Sequence, residues 1–296
     1  MVKATPLLHA DSPRNRLIGI GLVSFTYLLF SLLDGSAKWL VGSVPVIVVV
    51  WLRFAIHVAV AGVVLFPLRG LSLIKTSHLR WHGLRALMFM AMTGINFWAL
   101  QYLQLTVTSS IFFTVPLIIA VLGAPLLGEK LDRGRWAAIL VGFAGVLVII
   151  RPGSAEFHPA MLASVLNAGL YALFMLMTRR LAAYDSPETI QYLPAVGAAI
   201  GLAPFALAAW QSPEGWLQWA VACLMGVLGG LGHYLLALAH RYAPATVIAP
   251  FLYQQVFYMA LFGYLVFGDV PGAAVWIGAG IVIASGLYLF YRERTS

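Results

Sequence analysis

Three ionisable side chains sit within apolar runs early in this 296-residue chain: Asp34 and Lys38 in "LLDGSAKWL", and Arg53 in "WLRF". A charged group inside a bilayer is costly, so it is either paired or put to use. Asp34 and Lys38 are four positions apart and share a helix face. At 1.5 Å per residue, Asp34 lies roughly 9 Å and Arg53 roughly 12 Å from the same end of two antiparallel helices. Those depths suit one cluster. Two chemistries fit it. In one, Arg53 or Lys38 attracts the polar or anionic part of a ligand. In the other, Asp34 pairs with Arg53 or Lys38 and locks two helices together.

A second set of residues could bind a planar ring. Trp98, Gln101 and Tyr102 share one face of a helix, with Asn96 close by. Asn167, Tyr171, Phe174 and Thr178 recur at i, i+4, i+7 and i+11. Ser110 and Thr114 form a polar face elsewhere, and Gln254 and Tyr258 form another, with Tyr253 beside it. Aromatic walls stack a ring while amides and hydroxyls bond its edges. The same residue types also serve as interhelical glue and as an interfacial belt, and both uses stay open. His233 and His240 have no third ligand at metal-site spacing, so no metal is expected. No cofactor is implied either. There is no phosphate-binding Gly-x-x-x-x-Gly-Lys-Ser/Thr loop. Asp34 is the sole carboxylate clearly within an apolar run, which supplies a membrane enzyme poorly.

These residues need helices to hold them. Apolar residues are 61% of the chain and charged residues 9%, against about 25% charged in a soluble domain. The runs are continuous and near the roughly 20 residues that cross a bilayer. They do not alternate as barrel strands do. An all-α membrane protein follows, with ten spans: Leu17–Leu40, Pro45–Pro67, Gly83–Leu103, Leu105–Leu127, Trp136–Ile150, Phe157–Met177, Thr189–Trp210, Gly215–Ala239, Ala243–Phe267 and Gly272–Tyr291. Pro116 and Pro250 either kink their helices or break them. Gly197/Gly201 and Gly226/Gly230 suit close helix packing. The single cysteine, Cys223, excludes an internal disulfide. No cleavage pattern follows the first span, so it is expected to remain.

With the N-terminus inside, 15 of the 18 Lys and Arg residues fall on inner segments. That bias puts both termini in the cytoplasm. It also accounts for the net charge of +8 without nucleic acid. "GEKLDRGRW" at Gly128–Trp136 and "GDVPGAAVW" at Gly268–Trp276 share a Gly-acid start and an acid-to-Trp spacing, 140 positions apart. The first copy is rich in basic residues and the second has none. An odd number of helices per unit inverts the second unit, which moves this stretch from the inside to the outside. The expected architecture is therefore two inverted five-helix repeats, 17–150 and 157–291, between tails 1–16 and 292–296. Inverted repeats are a common plan of transporters, with the substrate near mid-membrane between the halves.

The stretch from Arg80 to Gly153 resembles the drug/metabolite transporter superfamily, EamA branch. The resemblance rests on the Tyr102 region, Pro116, Glu129 and the Gly142/Gly145 helix. It extends over Leu17–Tyr291. Asp269 stands where that family more often has Glu. "LLDGSAKWL" and "WLRF" look like the subgroup of bacterial riboflavin and S-adenosylmethionine carriers. The resemblance implies ten helices in two repeats and a small-molecule carrier in the bacterial inner membrane, either a monomer or a homodimer. It points to riboflavin first and S-adenosylmethionine second, and an amino-acid or drug exporter remains compatible. A non-transporting partner subunit is the alternative from another class.

Overall fold

The computed structural model describes residues 12–127, 132–181, 184–243 and 245–295. Glu129 and Lys130 of the first Gly-acid motif lie outside the described residues, as does most of the N-terminal tail; so do the side chains of His240 and Pro250. The described residues form helices and no strands. Nine of the helices are long and apolar enough to cross a membrane, and a tenth apolar segment, Phe251–Phe267, is shorter.

The first half comprises α1 (Pro13–Leu40), α2 (Val46–Arg69), α3 (Leu79–Leu100), α4 (Leu105–Phe112), α5 (Val115–Leu127) and α6 (Arg133–Ile150). The second comprises α7 (Pro159–Leu181), α8 (Pro187–Ala208), α9 (Gly215–Tyr242), α10 (Ala245–Ile248), a 3₁₀ segment (Ala249–Gln254), α11 (Gln255–Phe267) and α12 (Ala273–Thr295). Local chemistry sets the ends. Ser12 accepts from Asn15 N–H ahead of Pro13, so α1 starts before its apolar run does. Ser186 caps α8 through Thr189 N–H. Asp132 caps α6 through Gly134 and Arg135 N–H. Gly268 ends α11 in the left-handed conformation at φ 68°, which gives the Gly of the second Gly-acid motif its reason.

The fourth and ninth spans are not single helices as expected. Turn residues Phe113 and Thr114 separate α4 from α5, and the 3₁₀ segment separates α10 from α11. Pro116 and Pro250 each lack an N–H, so a carbonyl one turn earlier loses its helical donor. Thr108 and Ser109 in α4 and Thr114 in the turn after it also bond, through their hydroxyls, carbonyls three residues back, competing with the helical ladder. Their second pieces, Val115–Leu127 and Gln255–Phe267, are 140 positions apart at both ends.

Packing repeats when the halves are exchanged. Helix α1 packs along α9 as α7 packs along α3, and α2 meets α9 as α8 meets α3. Side chains show the same exchange. Ser285 Oγ donates to Ala138 O, while a Cβ on Gly145 would sit 3.0 Å from Gly278 O. Adding 140 to Ala138 and subtracting it from Ser285 converts the first contact into the second. Phe113 and Tyr253, themselves 140 apart, touch edge to face at 5.1 Å. The predicted glycine pairs sit at close approaches: Gly197 against Ala86, and Gly226 against Ile56. Helices α6 and α12 form a side pair, and seven of the other helices line a central cavity.

Candidate functional site

The cavity lies where α1, α2, α3, α4, α7, α9 and α11 converge. The break after α4 brings Thr108, Ser109 and Phe112 to its wall, and α11 contributes Gln255 and Met259. Helix α1 presents Tyr27, Phe30 and Asp34, and α3 presents Phe89, Thr93 and Asn96, both at helical spacing. The volume is about 120 Å³. Small-molecule pockets run from about 300 Å³ upward, so the cavity is smaller than one that encloses a metabolite.

Two opposite charges face this space without a direct salt bridge. Asp34 Oδ1 accepts from Asn96 Nδ2 at 3.0 Å. Arg53 is 4% exposed. Its guanidinium lies 4.5 Å from the Phe54 ring centre and 4.9 Å from that of Phe89, a cation–π arrangement. Its Nη2 is 3.5 Å from His233 Nε2. Arg53 Nε and Nη1 are buried and have no hydrogen-bond partner, and neither has Asn167 Oδ1. Buried polar groups ordinarily find partners. Two residues that line the cavity, Arg53 and Asn167, thus carry unsatisfied polar atoms between aromatic walls.

Of the thirteen residues expected to bind substrate, Asp34, Arg53, Asn96, Asn167 and Tyr171 line this cavity. The other eight do not. Lys38 bonds Asp269 Oδ2 at 2.7 Å and Leu103 O at 3.0 Å, so the three-charge cluster does not form. Trp98 is exposed against Tyr102, which stacks on His158 at 4.6 Å. Thr114 is buried and bonds Ile111 O, and Ser110 is buried one position away from the wall. Tyr253 packs on Phe113. Tyr258 donates to Gln254 Oε1 at 3.4 Å, and their neighbours Gln255 and Met259 face the cavity instead. Each residue turns a helix by about 100°, and the breaks at Phe113–Thr114 and Ala249–Gln254 reset which face looks inward. Missed were Tyr27, Phe30, Phe89 and His233. The spacing of Tyr27, Phe30 and Asp34 on one stripe was the signal that pointed to the first two. Among the described residues no His, Cys, Asp and Glu cluster could hold a metal.

Residues 17–151 and 158–291 each match the EamA-like transporter family. The chain belongs to this family. Both EamA matches coincide with the halves that exchange in the packing. Relatives include a riboflavin transporter of Vibrio cholerae serotype O1, 34% identical over 80% of this chain and 82% of its own. An S-adenosylmethionine uptake transporter of Rickettsia bellii is 28% identical over 96% of this chain and 97% of its own. A solved crystal structure of a 20%-identical protein superposes at a TM-score of 0.64, covering 97% of this chain and 100% of that one, a likeness of fold alone.

Proposed function

We propose that this multi-pass membrane transporter carries riboflavin into a bacterial cell. The carrying observation is the aromatic cavity in which Arg53 Nε, Arg53 Nη1 and Asn167 Oδ1 wait for partners. An isoalloxazine ring has stacking faces, carbonyl acceptors for Arg53 and an imide N–H for Asn167 or Asp34. The cavity holds one carboxylate and one guanidinium, a balance that suits an uncharged solute. Similarity to a riboflavin transporter at 34% identity points the same way. Inverted halves, supported by the exchange symmetry of packing and by the loop charges, expose the cavity alternately to each side. The Lys and Arg bias supports cytoplasmic termini in the inner membrane.

S-adenosylmethionine is the second reading, and one observation favours it over its standing in the sequence. Lys38 is spent on Asp269, so basic residues do not outnumber Asp34 as expected. The carboxylate is free to meet a sulfonium or an ammonium. The test is growth of a riboflavin auxotroph that lacks its own flavin importer. Expression should restore growth at low external riboflavin, and Arg53→Ala or Tyr171→Ala should abolish that rescue with protein still in the membrane. Well-expressed protein that gives no rescue overturns riboflavin uptake. Uptake of radiolabelled S-adenosylmethionine by the same protein then decides for or against the second reading.

A further inference from the structure

One turn beyond Phe89 on α3, away from Asn96, stands a second buried guanidinium. Arg85 is 2% exposed. The sequence puts it two residues into the third span, Gly83–Leu103, among the basic residues of the inner side; α3 begins already at Leu79 and carries Arg85 inside the bundle. Its Nη1 donates to Ile190 O at 2.6 Å and its Nη2 to Thr178 Oγ1 at 3.0 Å. Its Nε is buried without a partner. No salt bridge reaches it among the described residues.

Two rings separate this group from the cavity. Phe89 lines the cavity, and Phe174 stands behind it at 5.3 Å. Arg53 lies against Phe89 at 4.9 Å, and Arg85 lies against Phe174 at 4.3 Å. The order is guanidinium, ring, ring, guanidinium. It runs from the cavity toward the end of the bundle where Arg69 meets Glu188 at 2.7 Å and His82 meets Asp185 at 2.9 Å.

A helix lock needs no charge. A Gln could bond Ile190 O and Thr178 without the cost of a buried cation. A charge with one free donor, at the far side of a two-ring barrier from a similar charge, suits a ligand that must cross the barrier. We propose that Arg85 is a second substrate station, which takes the hydrogen-bond-accepting group of the substrate from Arg53 when α3 parts from α7 and α8. Both bonds of Arg85 join the first half to the second. Parting the helices breaks them and frees the guanidinium as the Phe89–Phe174 barrier opens. The closed barrier and the second station are thus one device, which rests on the cavity being the transport site.

Two measurements on the full-length protein test this. Thr93→Cys, in a Cys223→Ser background, places a thiol on the cavity wall. Labelling by a membrane-impermeant maleimide, applied separately from each side of oriented vesicles, needs no substrate. Arg85→Ala, which removes both interhelical bonds, should raise labelling from the Arg69 end about tenfold and leave the other end unchanged, because α3 is held less firmly. Riboflavin flux supplies the second readout. Arg85→Gln should raise KM about tenfold from the Arg69 end and less than twofold from the opposite end, and Arg85→Lys should recover most of that loss. An unmoved KM from the Arg69 end overturns the station, even with labelling raised, since a plain lock predicts that pattern. An equal rise from both ends also overturns it. Wild-type protein that moves no riboflavin sinks the riboflavin reading alone, and the sided KM is then read with S-adenosylmethionine.

Discussion

The two ends of the bundle close over the cavity by different means. At one end Lys38 of α1 meets Asp269 beyond α11, with a further bond to Leu103 O. At the other, Arg69 meets Glu188, Asp185 takes bonds from both His82 and Thr76, and Arg85 reaches Ile190 O and Thr178. All of the latter join α2, α3 or the segment between them to the second half. The halves match one family and repeat their helix packing, yet their closures do not mirror each other. Packing symmetry is kept by apolar contacts and glycines, where one shape serves both orientations. The polar closures face different compartments and have diverged. Among the described residues the heavier set of polar closures lies at the Arg69 end.

The strongest way to break the contrast is to forbid opening at the Arg69 end. Cysteines in place of Arg69 and Glu188, joined by a short thiol-reactive linker, should drop flux to background, and a reductant should restore it. Flux that continues through the cross-link would show that this end does not move.

A milder change weakens the same end. Asp185 accepts from His82 and Thr76 with its side chain 6% exposed. Asp185→Ala leaves a buried donor without its partner, at about 1–3 kcal/mol. That shifts the balance toward opening about 5- to 150-fold. Labelling of Thr93→Cys from that end reads it directly. The corresponding change at the lighter end is smaller. Lys38 and Asp269 are 15% and 19% exposed, so Lys38→Met should favour opening there by about 1 kcal/mol, roughly fivefold. Lys38→Asp combined with Asp269→Lys should recover part of this, because the bond to Leu103 O is not rebuilt.

How far these ends could be read from the sequence depended on what the chain code records. Continuous apolar runs announced the helices. The Gly-acid repeat announced the duplication, because covalent spacing survives inversion. Asp34 and Arg53 could be placed at one depth by counting residues at 1.5 Å each. Lys38 could not be assigned. Its partner, Asp269, lies 231 positions away, and four-residue spacing from Asp34 suggested a nearer one. The faces of α4 and α11 were off by one position for a related reason. A proline shows that a helix is disturbed, yet the turn after Ile111 and the 3₁₀ stretch before Gln255 fix how far the next helix is rotated. The burial of Arg85 was hidden, since a position two residues into the expected span, with Arg80 just ahead of it, suggested a charge at the membrane edge. Only tertiary packing puts such a group inside.

The smallest effect belongs to a contact that closes neither end. Asp132 caps α6 and meets Arg292 of α12 at 3.2 Å, on the side pair away from the cavity. The Arg135 backbone N–H, then that of Gly134 and the nearby Arg292, hold its carboxyl below the usual carboxylate range. A carboxylate lowered in the folded state contributes stability above its unfolded pKa, about 3.9. That contribution is lost as pH falls through the lower folded value. Asp132→Asn keeps a capping oxygen, since Asn and Asp cap comparably, and removes only the charge. A slightly lower Tm at pH 7 is expected, narrowing toward equality with the parent as pH falls below about 4. Flux per molecule and Thr93→Cys labelling should stay at parental values from both ends. A sided change in labelling would mean that the α6–α12 pair takes part in closing the cavity, and the contrast between the two ends would then have to include it.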